Sequence, residues 1–190
     1  MSLNKIDLRN SILILMMIIA ASTRLLSLES SGSFVNFSPL GAIALFGGAY
    51  FTNKYKAYLV PLLTLMISDV VMNYFYFQKF ILFYEGSLYV YIAFALMVTV
   101  GTYMRKINVG SVFMASVASV AIHWLITDIQ PWLTGYPHTF SGYGQALIAA
   151  LPFEKNLLFG NLLFGTLLFG GFELAQSKFV ALRKTGKLAF

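Results

Sequence analysis

The run Ile12-Leu13-Ile14-Leu15-Met16-Met17-Ile18-Ile19-Ala20-Ala21 contains no polar side chain, and stretches like it recur along most of the chain. In such surroundings a backbone must satisfy its own N–H and C=O groups, so repeated apolar runs point to helices crossing a bilayer. A helix rises about 1.5 Å per residue, so roughly 20 apolar residues cross a hydrocarbon core of about 30 Å. On that measure the chain reads as an all-α membrane protein: one integral membrane domain over 1–190, built as a six-transmembrane-helix bundle. The spans fall at about 10–28, 39–52, 56–77, 87–105, 109–128 and 155–176, with an outer loop over 129–154. The second span is short and rich in small residues, which suits a tilted, buried or partly re-entrant element. Within the loop, Gly144 to Leu151 is apolar yet too short to cross, and reads as an interfacial or re-entrant piece. Lys5 and Arg9 before the first apolar run also fit a signal-peptide pattern; the segment is read here as a retained span.

Composition agrees with this class. Of 190 residues, 58% are hydrophobic and only 11% charged, where a soluble domain carries roughly a quarter charged. There is no cysteine, which excludes disulfides and thiolate chemistry, and two histidines leave little material for a metal site. No Ser-His-Asp order, HExxH pattern or phosphate-binding glycine loop is present, so no catalytic group and no cofactor is expected.

The net charge of +6 is explained by placement. With the N-terminus inside, the inner segments hold Lys5, Arg9, Lys54, Lys56, Arg105, Lys106, Lys178, Arg183, Lys184 and Lys187, and the outer ones only Arg24, Lys79 and Lys155. That bias follows the positive-inside rule and predicts both termini in the cytoplasm. The basic tail reads as an anchor beside anionic lipid, and no nucleic-acid partner is expected.

Polar residues gather toward the outer half: Asn36 and Ser38 before the second span, Asp69 and Asn73 in the third, and His123, Thr127 and Asp128 in the fifth. Trp132, Tyr136 and His138 follow in the loop, and Asn156 and Asn161 in the sixth. Such clustering suggests an outward-facing pocket for a small-molecule ligand. Asp69 is the sharpest of them, since a carboxylate inside a span is costly unless paired, protonated or hydrated. It fits a ligand contact or proton site, or a helix–helix hydrogen bond to Asn73. His123 fits an interhelical hydrogen bond as well as a ligand contact, and the two tryptophans also suit interfacial anchoring. Gly41, Ala44, Gly47 and Gly48 give the second span a small-residue face for close helix packing or for a partner protein. The five-residue repeat that places glycines at Gly160, Gly165 and Gly170 does not match a helical period.

Asn36-Phe37-Ser38-Pro39-Leu40-Gly41-Ala42, then Leu45-Phe46-Gly47-Gly48-Ala49-Tyr50-Phe51, resembles the signature of a small bacterial membrane-protein family of unknown function. That family is itself similar to the substrate-binding S components of energy-coupling-factor (ECF) vitamin transporters. The resemblance continues through Pro61-Leu62-Leu63, Ser68-Asp69, Trp132-Leu133-Thr134-Gly135-Tyr136-Pro137, Ala149-Ala150-Leu151-Pro152-Phe153, Asn156 and Gly160-Asn161. It implies six helices and an outward pocket that captures a vitamin-like compound or cofactor precursor. Ligand contacts would lie near Asn36, Asp69, Trp132, Tyr136 and Asn161. A coupling membrane protein and an ATPase would be further chains. Two departures stand out: Ala20 and Ala21 are adjacent where an AxxxA docking pattern is common, and Asn161 stands where aspartate is expected. Two other roles compete: a structural or partner-binding subunit with a filled core, and an intramembrane enzyme in which Asp69 and His123 converge within hydrogen-bond reach.

Overall fold

The computed structural model describes residues 3–28 and 36–183, with side chains for 8–25 and 36–183. The side chains of Lys5, Lys184 and Lys187, which enter the charge count, lie outside the described residues. Every regular element among those described is helical: α1 (Leu3–Ser22, followed by a 3-10 segment, Thr23–Leu28), α2 (Leu40–Tyr50), α3 (Lys54–Phe77), α4 (Ser87–Thr102), α5 (Val109–Thr127), α6 (Ile129–Gly135), α7 (Phe140–Gly165) and α8 (Gly171–Lys178). A π-turn, Thr166–Gly170, joins α7 and α8 into one rod from Phe140 to Lys178. Four helical stretches are long and apolar enough to cross a bilayer: Leu8–Leu25, Lys54–Phe77, Val109–Gly135 and Phe140–Lys178. Two apolar helices, Leu40–Tyr50 and Ser87–Thr102, are shorter. The chain is therefore a helical membrane protein.

Local chemistry sets the helix ends. The Asn53 side chain accepts from Lys56 N at 3.1 Å and starts α3. Asn108 and Ser111 form a reciprocal capping box at the start of α5, and Thr139 caps α7 by accepting from Gly142 N. Each satisfies donors that a helix start leaves open.

The segment sketched from sequence as an outer loop over 129–154 is helical. It folds as α6 and the first half of α7, so Gly144 to Leu151 is an ordinary part of a long helix and not a separate re-entrant piece. Pro152 sits inside α7 without ending it. Proline, Glu154 and Lys155 in close succession mimic a loop boundary, but a membrane helix tolerates a missing N–H when its packing neighbours hold it.

α2 is the hub. Ten of its eleven residues are buried, and it packs against α4, α3, α7, α5 and α1. A helix apolar on all sides belongs in an interior. Its Phe46 and Tyr50 rings meet Phe169 and Phe172 with centroids 4.7 to 5.8 Å apart. In lipid, such contacts act through van der Waals packing, since the bilayer is as apolar as the core.

The two ends of the bundle differ. At one, Arg9 Nε donates to Leu182 O at 3.1 Å, joining the first helix to the last described residues, and Tyr50 hydrogen-bonds Glu173. Tyr58 pairs with Thr99 at 2.9 Å near the same end. The opposite end holds the cavity described next.

Candidate functional site

A cavity of about 440 Å³ opens among the 3-10 segment after α1, the start of α2, the end of α3, the start of α4, the end of α5 and the middle of α7. Asn36, Asp69, Asn73 and His123 all line it. An adjoining chamber of about 210 Å³ shares Asn36, Tyr84, Val90, His123 and Thr127 with it and adds Asp128 and Glu154. Asn36 sits at the junction with φ of 64°, a left-handed backbone that asparagine tolerates better than most residues. The walls are otherwise apolar and aromatic, with Leu65, Phe94 and Leu157 among them.

One ion pair and one histidine–carboxylate hydrogen bond organise the polar groups. Arg24 Nη1 donates to Asp69 Oδ1 at 2.7 Å and to Ser68 Oγ at 2.8 Å. Removing both charges from water is costly, so their geometry and the serine are needed to offset it. His123 Nδ1 lies 2.8 Å from Glu154 Oε1, while Thr127 Oγ1 donates to His123 O at 2.9 Å and steadies the end of α5. Two carboxylate oxygens are left over. Asp69 Oδ2 and Glu154 Oε2 are buried and have no hydrogen-bond partner among the described residues. Tyr84, in the α3–α4 connection, has its hydroxyl pKa pushed up to about 12, by desolvation first and by the negative charge of Asp69 next. Among the described residues no group of three His, Asp or Glu side chains gathers as a metal set.

A family model described as a family of unknown function, DUF6580, matches the chain over residues 4–182. The chain belongs to that family. No curated protein and no solved structure matches it.

Within this DUF6580 fold the remaining sequence candidates fall elsewhere. Trp132 lies on α6, its Nε1 donating to Pro137 O at 2.9 Å and its ring 5.3 Å from that of Tyr143. Tyr136 ends α6; neither residue lines the two chambers. Asn161 is fully buried inside the bundle. Its Nδ2 donates to Ser119 Oγ at 3.0 Å, and its amide fills the space beside Gly41. Asp69 does not use Asn73, whose Nδ2 donates to Ile81 O instead. Ala44 is fully buried in the α2 interface. Gly47 lies against the Pro61 ring, and Gly48 against the Val98 carbonyl of α4.

The DUF6580 site also uses residues that the sequence alone did not single out: Arg24, Tyr84 and Glu154. Glu154 carried a signal, being a carboxylate between apolar stretches. The apparent loop boundary at Lys155 concealed it. Arg24 carried none, because a cation just past a span end is ordinary.

Proposed function

We propose that this DUF6580 protein is a membrane-embedded substrate-binding protein that captures a small vitamin-like compound or cofactor precursor for uptake. In this reading it is a six-helix bundle of the ECF S-component kind, in a bacterial cytoplasmic membrane. The observation that carries the proposal is the cavity of about 440 Å³ with its few convergent polar groups. Small-molecule sites span roughly 300–1,000 Å³ and share that pattern of apolar wall and sparse polar contacts. A purely structural subunit would have closed this space.

Charge supports the orientation. Lys54, Lys56, Arg105, Lys106 and Lys178 stand at the end away from the cavity, which the positive-inside rule assigns to the cytoplasm. Contact between Arg9 of α1 and Leu182 supports an even number of crossings between those two residues. The cavity then faces outward. Driving release by ATP would fall to a coupling protein and an ATPase on other chains, because this one has no phosphate-binding glycine loop. An acid–base site is the less supported reading. Asp69 and His123 line one cavity, yet each is engaged with a different partner, Arg24 and Glu154.

Thermal unfolding of the detergent-purified full chain against vitamins and their precursors tests the proposal, together with mass spectrometry of co-purifying small molecules. A ligand at about a hundred times its Kd stabilises the native state by about 2.7 kcal/mol. Val90→Trp, which puts a bulky ring where the two chambers meet, should abolish the shift. No shift with any compound and no co-purifying molecule would sink the reading.

A further inference from the structure

Resting on the capture reading, we propose that the molecule held in the two chambers is an organic cation. Its ammonium, amidinium or guanidinium group would sit on a compact, partly aromatic body and meet Glu154 and Asp69. The charged side chains facing the chambers are Arg24 and Asp69 in the larger, Glu85, Asp128 and Glu154 in the smaller, and His123 in both. With His123 neutral, one cation faces four carboxylates; with it protonated, two cations do. Counted with all four carboxylates ionised, the described lining is negative by at least two charges in either state. The cations present are already engaged: Arg24 Nη1 with Asp69 and Ser68, His123 Nδ1 with Glu154. Of the remaining carboxylates, Glu85 sits at the edge and accepts from Gln130. Asp128 is only 8% exposed and makes no capping bond to α6.

The second observation is independent of net charge. Asp69 and Glu154 are 6% and 5% exposed, and each has one oxygen without a donor. Asp69 lines the larger chamber and Glu154 the smaller. A buried carboxylate oxygen without a donor is costly. Both oxygens are closed off from the chambers as they stand, and a turn of each carboxylate would bring them to a ligand carrying several N–H donors around a positive charge. Phe94 and Tyr84 add aromatic rings to the lining, and aromatic faces attract a cation. An anionic ligand would instead meet this surplus of negative charge with Arg24 and His123 already paired.

Benzamidinium, benzamide and benzoate share one shape and differ in charge, so they isolate the electrostatic choice. Their binding to the detergent-purified full chain is followed by thermal unfolding at low salt. Benzamidinium is expected to bind at least about tenfold tighter than benzamide, the difference one unmet charge makes when it gains a partner. Benzoate is expected to give no shift. Glu154→Gln and Asp128→Asn are each expected to weaken benzamidinium several-fold; should Glu154→Gln fail to fold, Asp128→Asn and the wild-type series decide. Benzoate or benzamide binding as well as benzamidinium, or no binding by any of the three, overturns the cationic assignment. So does a benzamidinium shift that neither variant weakens. A neutral or anionic compound that co-purifies, and whose stabilisation Val90→Trp removes, leaves capture standing while the cationic class falls.

Discussion

Arg24 and Asp69 are 45 positions apart in the chain and 2.7 Å apart in space. Their side chains are 19% and 8% exposed, so the pair is largely dry, and its two halves are not equivalent to two surface charges. Arg24→Ala leaves a buried carboxylate with no counter-ion, and loss of one partner of a buried pair costs about 3–5 kcal/mol. The double variant Arg24→Ala with Asp69→Asn removes the stranded charge and should recover part of that loss. Thermal unfolding of both variants in detergent checks this; a double variant less stable than Arg24→Ala would refute the pairing account. Asp69 was legible in the sequence because an ionised side chain inside an apolar run is expensive wherever it points. Its partner was not, because pairing depends on how α1 and α3 pack and no local pattern encodes that. Asn161 shows the converse error. Its polar side chain suggested a ligand contact, but the helix turns it inward, against Gly41 and Ser119, where it joins helices.

α2 and α4 meet backbone to backbone. A Cβ built on Gly48 would fall 2.2 Å from Val98 O, and one on Gly101 would fall 2.3 Å from Leu45 O. Both obstacles are main chain and cannot swing aside, so Gly48→Ala or Gly101→Ala must separate the helices, at about 1–3 kcal/mol as for other overpacked interiors. Gly144 has nothing within 4 Å of its virtual Cβ, and Gly144→Ala should be neutral or stabilising by up to about 1 kcal/mol through helix propensity. Melting temperatures of the three variants in one detergent would decide it; equal shifts would mean that close approach is not what these glycines provide. The small-residue face of α2 was visible as a pattern. Which helix it met was not, since Gly101 alone in an apolar run carries no distinguishing mark. The long helix Phe140–Lys178 was half legible. Its apolar part stood out, whereas Pro152 and Glu154 hid the first turns. The last unit of its five-residue repeat overlaps the π-turn at Thr166–Gly170, with its i→i+5 bonding, while the earlier units lie in regular α-helix.

At the scale of the whole molecule, the asymmetry between ends decides what the cavity can reach. Basic side chains at the start of α3, in the α4–α5 connection and at the end of α8 mark one face, and the cavity lies toward the other. Apolar runs and basic connections are properties of composition along the chain, so helical membrane character could be read before any packing was known. Cavity shape depends on six elements meeting and could not. Orientation can be tested directly, because the protein has no cysteine and any introduced thiol is a unique label. Lys79→Cys and Thr134→Cys, exposed at the cavity end, should react with a membrane-impermeant maleimide on intact cells. Lys106→Cys and Lys178→Cys, exposed at the basic end, should react only after permeabilisation. Labelling of Lys106→Cys from outside would invert the molecule and turn the cavity toward the cytoplasm, where it could release a molecule but not capture one from the medium. Labelling of Lys79→Cys and Lys106→Cys from the same side would mean that α4 does not cross. Its 16 residues would then lie within the membrane as a packed insert.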